Sequence, residues 1–187
     1  MFAQMTQVLV DAAAGLLVYA LLARFHFQWL RVPFRNPIGQ FVIAFTDWAV
    51  RPARRVVPTA AGLDLPTLAV AWLVQALALS LVRALGVGEA TLPAPGPLAL
   101  LAALDLLRYS LYLLFVAVLV QVVLSWLNPY APIAPLFEAM TRPFLRPLRR
   151  LLPLVANVDL SPLALLVALQ VILVPIAQLR AQLLAWL

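Results

Sequence analysis

Four long apolar runs, separated by shorter polar segments, dominate the pattern of the chain. The runs cover residues 1–23, 65–82, 109–137 and 160–179. A helix that crosses roughly 30 Å of hydrocarbon needs about 20 mostly apolar residues, so each run is long enough to span a membrane. In the third run, the prolines that follow Asn128 favour a helix end near Trp126. We therefore predict four transmembrane helices.

The first apolar run has a second interpretation, a secretory signal peptide. The extreme N-terminus, however, carries no basic residue, and no polar domain that would need export follows the run. We therefore expect residues 1–23 to be retained as a membrane helix.

The polar segments after the first and third runs repeat one phrase. RPARRVVPTAAGLDL at 51–65 aligns with RPLRRLLPLVANVDL at 146–160 at an offset of 95 residues, which also pairs Gln75 with Gln170. Hydrophobic composition does not produce so many polar and proline matches, and a fixed offset indicates an internal repeat. We predict a first repeat at 1–85, a Pro/Gly-rich link at 86–97 and a second repeat at 98–187.

The repeat also predicts the topology. Two spans per repeat return the chain to its starting side, so the repeats are parallel and both arginine phrases face one compartment. The prolines and the alternation of arginine with apolar residues favour short amphipathic helices at headgroup depth. We therefore predict an all-α membrane protein of two parallel repeats, each with a Pro-broken amphipathic interfacial segment.

Composition and charge support this prediction. The chain is 65% hydrophobic with a net charge of +6, and its mean hydropathy is +1.03, beyond what a soluble domain of this size can bury. The segment between the first two spans sums to +4, the segment between the last two to +2, and the remaining charges cancel. By the positive-inside rule, we expect the arginine segments to face the cytoplasm and both termini to lie outside it.

Several kinds of chemistry are missing from the sequence. Without cysteine, this chain forms no disulfide, thiolate metal site or c-type haem attachment, and its one histidine, His26, makes a poor metal site alone. No nucleophile with a neighbouring base, phosphate-binding glycine loop or catalytic carboxylate pair occurs. We expect no enzyme activity and no cofactor or metal. Because the arginines lie beside apolar spans, we expect anionic lipid headgroups rather than nucleic acid as the nearest phosphates.

The repeated arginines are the first candidate site. They occur at i, i+3 and i+4 in both copies, on one face of any helical turn: Arg51, Arg54 and Arg55, and Arg146, Arg149 and Arg150. They fit a topology determinant that binds lipid phosphates, a docking surface for a membrane-protein partner or a second copy of the chain, or a substrate-handling site. A topology determinant requires only positive charge and no particular spacing, yet the i, i+3, i+4 spacing of the arginines is the same in both copies.

Other polar residues recur near the spans. Asp64 and Asp159 directly precede the second and fourth spans, where a carboxylate, with Ser161 in the second copy, caps helix N–H groups. Each aspartate is also close in sequence to two arginines with which it could form an ion pair: Arg54 or Arg55 for Asp64, and Arg149 or Arg150 for Asp159.

Further polar residues lie within or beside the spans. Gln75 and Gln170 lie near mid-span, where amides usually form hydrogen bonds between helices; a polar pathway is the alternative. We expect Asp105 and Arg108 to form an i,i+3 pair before the third span, and Asp11 to lie at the interface or inside the first span.

The two phrases resemble a known family. NPIGQFVIAFTDWAVRPARRVVP and TRPFLRPLRRLLPLVANVDLSPLALLVALQ resemble the halves of the two-repeat YggT-family integral membrane proteins of Gram-negative bacteria. The first copy departs from the family phrase at Asp47 and Trp48, and in DLPT where the family has DLSP. The resemblance implies a multi-pass membrane protein without established catalytic residues, whose relatives are associated with osmotic or salt stress tolerance.

From these observations and the resemblance we expect a bacterial inner-membrane protein whose termini are both periplasmic. We expect it to act as a structural, assembly or adaptor factor of the cell envelope through the arginine surface at its cytoplasmic face, in support of osmotic-stress tolerance. The alternative is an ion or osmolyte channel subunit that uses Asp11, Gln75 and Gln170.

Overall fold

The computed structural model of the chain describes residues 2–32, 34–59, 62–85, 94–152 and 159–185, which form six α-helices. In chain order the helices are α1 (Phe2–Trp29), α2 (Pro37–Ala53), α3 (Leu65–Leu85), α4 (Pro95–Leu127), α5 (Ala134–Leu151) and α6 (Ser161–Ala185). Most of the predicted link, residues 86–93, lies outside the described residues, and α4 begins within its last part.

Four of these helices, α1, α3, α4 and α6, are long and apolar enough to cross a membrane, which confirms the four predicted spans. The third span differs at its start, which we expected at residue 109. Helix α4 begins at Pro95 and ends at Leu127, so Asp105 and Arg108 lie inside the span instead of before it. The expected start was wrong because a hydropathy scale counts every charged residue as unfavourable in a span. In the structure, Asp105 forms an ion pair with Arg180 and Arg108 lies over an aromatic ring.

The two repeats pack in the same way. In the first, α1 contacts α3 extensively and α2 contacts both; in the second, α4 contacts α6 and α5 contacts both. Helices α1 and α4 run towards the end of the bundle that holds α2 and α5, and α3 and α6 run away from it. The repeats meet where α4 contacts α3 and α1, around a core that includes Leu21, Leu22, Ala71 and Leu106. This arrangement is two parallel repeats.

The amphipathic segments are α2 and α5, and each is one helix. Their buried residues recur every three or four positions, as in Val42, Thr46 and Val50 of α2. Helix α5 continues through Pro143 and Pro147 without dividing into the short pieces that prolines favour. Both prolines are exposed, so the carbonyl groups that lose a helical partner lie on the solvated face.

The start of α2 gives a stability prediction. Asn36 caps this helix by accepting a hydrogen bond from the Gly39 N–H at 2.8 Å, and a Cβ at Gly39 would lie 2.8 Å from the Phe34 carbonyl oxygen. We expect Gly39→Ala to lower the free energy of unfolding by about 1–3 kcal/mol because the backbone must move. Thermal denaturation of the purified protein in detergent measures this change.

Gly15→Ala in α1 is the matched control. A Cβ there meets nothing within 4 Å, and alanine favours a helix interior over glycine by up to about 1 kcal/mol. Equal melting temperatures for the two variants would contradict the close approach at Gly39.

Candidate functional site

An arginine–aspartate contact joins the amphipathic helix to the following span in both repeats. Arg54 donates from Nη2 to Asp64 Oδ2 at 2.8 Å, and Arg149 donates from Nε to Asp159 Oδ2 at 2.8 Å. The middle arginine of each triplet is therefore the one that binds the carboxylate. The Asp64 side chain is fully buried, whereas Asp159 is one-third exposed, so the first contact is better shielded from water.

The two aspartates differ in how they bond to the helix that follows. Asp159 Oδ1 accepts from the Ser161 backbone N–H at 2.9 Å, as expected of a cap. Asp64 instead accepts from the Thr67 hydroxyl at 2.6 Å, and its Oδ1 has no hydrogen-bond partner among the described residues. The backbone cap expected at Asp64 is absent because Pro66, which aligns with Ser161, has no N–H to donate.

Electrostatics around Asp159 favour its charged form. Burial raises the pKa of this carboxyl, but hydrogen bonds from Ser161 and the nearby Arg149 guanidinium outweigh burial and hold the pKa below its ordinary value. Asp159 is therefore ionised at neutral pH, and its contact with Arg149 is an ion pair.

In the first repeat, a buried arginine joins α1 to α2. Arg24 is 6% exposed and donates to Thr46 at 2.9 Å and to Asp47 at 2.8 Å. Asp47 also accepts from Arg51 at 2.7 Å. Burial raises the pKa of Asp47, and the two arginines more than offset this effect, so the pKa lies below its ordinary value. The contacts of Arg24 are not predictable from the local sequence, because its partners are more than 20 residues away along the chain.

The second repeat replaces this charged contact with a neutral one. Thr141, which aligns with Thr46, bonds to Gln121 of α4, and Arg142 stands at the position of Asp47. Consequently Arg146, the counterpart of Arg51, has no acidic partner among the described residues. At the offset of 95 residues that aligns the two repeats, the acidic Asp47 of the first repeat is thus replaced by the basic Arg142 of the second. We call this difference the charge reversal.

The charge reversal produces a row of arginines on α5, which we call the α5 arginine stripe: Arg142, Arg146 and Arg150. All three are exposed, and within the described part of the chain none forms an ion pair. Their i, i+4 and i+8 spacing places them along one side of the helix over about 12 Å. Arg55, in the turn that follows α2, is also exposed and free of ion pairs in that part of the chain, but Arg51 on the last turn of α2 is held by Asp47.

A second polar cluster lies inside the membrane spans. Asp105 of α4 is fully buried and accepts from Arg180 Nε of α6 at 2.6 Å and from Gln75 Nε2 of α3 at 2.9 Å. The expected pair of Asp105 with Arg108 is therefore wrong. Arg108 instead lies over the rings of Tyr109 and Tyr112, 5.3 and 5.9 Å from their centroids.

The two mid-span glutamines have different surroundings. Gln75 makes the expected contact between helices, whereas Gln170 is exposed on α6, and none of the described residues bonds to it. The difference arises because α3 lies between α1 and α4, whereas α6 is at the edge of the described bundle. Helix α6 buries only one side, which carries Ser161, Leu165, Leu169 and Leu173.

A cavity of about 240 Å³ opens beside the intramembrane cluster. Its polar lining comes from Asp11, Gln75, Arg108, Tyr109 and Arg180, while small residues of α1 and α3 leave the space open. Asp11 thus lies within α1 and faces the cluster. The Arg108 Nε is buried without a hydrogen-bond partner in the described structure.

The histidine lies in an apolar setting. His26 lines a pocket of about 220 Å³ between α1, α4 and α5, and its Nδ1 is 2.6 Å from the Leu22 carbonyl oxygen. Among the described residues, no three His, Asp or Glu side chains are grouped to hold a metal ion.

The intramembrane ion pair gives a second prediction. We expect Arg180→Leu to destabilise the protein by about 3–5 kcal/mol, because it leaves the Asp105 carboxylate buried without its cation. Adding Asp105→Asn should restore most of that loss, since an asparagine amide can still bond to Gln75. Melting temperatures in detergent compare the variants.

Arg83→Leu is the control for losing an arginine that contacts α6. Arg83 donates to the Leu184 carbonyl oxygen at 3.1 Å, so its removal exposes no buried charge and should cost about 1 kcal/mol. A double variant no more stable than Arg180→Leu alone would contradict the ion-pair account.

Comparisons with known proteins agree with the repeat architecture. The CCB3/YggT family model matches residues 3–85 and again 100–180. No solved structure matches the chain.

Relatives align over most of their length. YggT of Escherichia coli strain K12 is 32% identical over 171 residues, 91% of this chain and 88% of that protein. A Pseudomonas aeruginosa protein is 32% identical over 169 residues, 88% of this chain and 84% of its own length. A Vibrio alginolyticus protein is 29% identical over 163 residues, 87% and 88% of the two chains. With both repeats matched, the chain belongs to the CCB3/YggT family.

Proposed function

We propose that this protein is a non-enzymatic adaptor or assembly factor of the bacterial inner membrane, and that the α5 arginine stripe is its binding surface. The observation that carries the proposal is the absence, among the described residues, of any acidic partner for these three exposed arginines. At this end of the bundle, four other arginines, Arg24, Arg51, Arg54 and Arg149, each bind an aspartate. Arg31, Arg35 and Arg55 are exposed and also in no ion pair among the described residues, but they lie outside the helices and form no row. The stripe is therefore available to an anionic partner.

The chemistry of arginine narrows the class of partner. A guanidinium donates paired hydrogen bonds to carboxylates and phosphates, and each arginine near an anionic membrane surface contributes about 1 kcal/mol. Three arginines at helical spacing suit an acidic segment of a neighbouring membrane protein, with anionic lipid headgroups as the second possible ligand. Repeat one is less suited because Asp47 lies in the corresponding row.

The charge distribution supports an orientation. The net charge of +6 comes from the segments that connect the paired spans, at the end of the bundle where α2 and α5 lie. We propose that this end faces the cytoplasm and that both termini are periplasmic, following the positive-inside rule. An adaptor there would support the envelope under osmotic stress, the process that the family resemblance suggests.

A second candidate function is supported by the intramembrane cavity. Asp11, Gln75, Arg108 and Arg180 place polar groups at depth, where such groups often mark solute or ion pathways. This favours a transport-related channel subunit as the competing proposal. The pairing of Asp105 with Arg180 argues for a structural role of the cluster, because it neutralises both charges.

Photo-crosslinking in living cells tests the adaptor proposal. We expect a crosslinking amino acid at position 146 to capture a specific membrane protein, identified by mass spectrometry, and Arg142→Gln with Arg150→Gln to reduce that adduct at least several-fold. The matched control places the crosslinker at position 51 and changes Arg55→Gln, which should leave its own adducts unaltered.

Three results would contradict the adaptor proposal. One is capture of lipid alone at position 146, which would limit the stripe to membrane anchoring. Another is the same adduct pattern from positions 146 and 51. The third is selective ion or osmolyte flux through the purified protein in proteoliposomes, which would favour the channel proposal.

A further inference from the structure

The outward side of α6 carries a regular row of residues, which we call the α6 seam. Its members follow alternating steps of four and three residues, and all are exposed: Leu163, Val167, Gln170, Val174, Ala177 and Ala181. The buried residues of α6, such as Leu165 and Leu169, lie on the opposite side against α4 and α5.

This spacing is typical of helix pairing. A repeat of 3.5 residues keeps one row of side chains facing a partner helix along its whole length. Small residues such as Ala177 and Ala181 allow two helix backbones to approach closely in a membrane. Other residues of α6, such as Val171 and Ile172, are exposed as well, so it is the combination of this spacing with small residues and a mid-span amide that distinguishes the seam.

Gln170 is the polar member of the seam and lies deep in the membrane. It follows Ser161, the first residue of α6, by nine residues, or about 14 Å of helix. That depth is near the middle of a hydrocarbon layer of roughly 30 Å. An amide facing lipid there loses its hydrogen bonds to water, so burial against a bonding partner is favoured.

The first repeat shows what this position does when a helix is beside it. Gln75, the counterpart of Gln170 at the offset of 95, is 5% exposed and donates to Asp105. Asp105 belongs to α4, the first helix of the next repeat. Gln75 thus bonds across the boundary between repeats, and no described helix occupies the corresponding place beside Gln170.

We propose that a second copy of this chain covers the α6 seam, with α6 packed against α6 of its partner. Copies inserted with the same topology are related by a twofold axis along the membrane normal, so the two helices are parallel. Both Gln170 side chains then lie at one depth. Each amide has a donor and an acceptor, so two of them form reciprocal hydrogen bonds.

This interface is independent of the proposed adaptor function. The α6 seam is lipid-facing and the α5 arginine stripe is on another helix. Loss of one contact therefore leaves the other to be measured separately.

Single-cysteine crosslinking tests the interface, because the chain contains no cysteine. We expect Val167→Cys and Val174→Cys to give disulfide-linked dimers on mild oxidation of native membranes, since both residues border Gln170 on the seam. Ile172→Cys is the control: it is exposed at similar depth, 47%, but lies off the seam. It should give little dimer.

A second measurement addresses Gln170 itself. Copies of the protein labelled with donor and acceptor fluorophores are reconstituted in liposomes of a defined phosphatidylethanolamine and phosphatidylglycerol mixture. The decrease in energy transfer as the lipid-to-protein ratio is raised gives the dimerisation constant. We expect Gln170→Leu to weaken dimerisation about threefold to thirtyfold, the effect of one or two interhelical amide hydrogen bonds. Gln170→Asn, which keeps the amide, should retain most of the affinity.

Three outcomes would overturn the proposal. The first is disulfide formation from Ile172→Cys as fast as from Val167→Cys and Val174→Cys. The second is unchanged dimerisation of Gln170→Leu, or a protein that stays monomeric at every lipid dilution. The third is crosslinking of the seam to a different protein in place of a second copy.

Discussion

A charge inside hydrocarbon must meet an opposite charge or a hydrogen-bonding group, and Asp105 is the residue at which this requirement organises the bundle. Its carboxylate is bound by Arg180 from α6 and by Gln75 from α3. One side chain of α4 therefore connects three spans and both repeats. Because the pair neutralises its charges, α4 can begin ten residues before Asp105 and still cross the membrane.

Ion pairing also determines which charges stay unpaired around α2 and α5, outside the spans. In the first repeat, Asp47 binds Arg24 and Arg51, so the row that it shares with Arg55 is partly neutralised. In the second repeat, Gln121 and Thr141 make the corresponding contact without charge, and Arg142 replaces Asp47. The two copies of one phrase thus have different surfaces: the first mainly holds helices together, and the second leaves three exposed arginines without an ion pair among the described residues.

The last spans of the two repeats also differ in how they are covered. Helix α3 is covered by α4 of the second repeat, whereas no described helix covers the corresponding side of α6, and the residues there are exposed. Gln75 and Gln170 are the same residue at the same place in the repeat, yet one is buried and the other faces outward. Their difference arises from the helices that pack beside them and not from local sequence.

The sequence by itself determined the features that depend on local or additive properties. The number of spans, the end of α4 near Trp126, the internal repeat and the concentration of positive charge at one end follow from hydropathy and from a fixed offset. The contacts of Asp64 with Arg54 and of Asp159 with Arg149 bridge ten residues each, a separation short enough for the sequence to suggest them. Only the tertiary structure decided that α4 begins at Pro95, that Asp105 binds Arg180 across 75 residues, and that Arg24 is buried against α2. Hydropathy treats each charge separately, and only the packing of distant helices determines which charges neutralise one another inside the membrane.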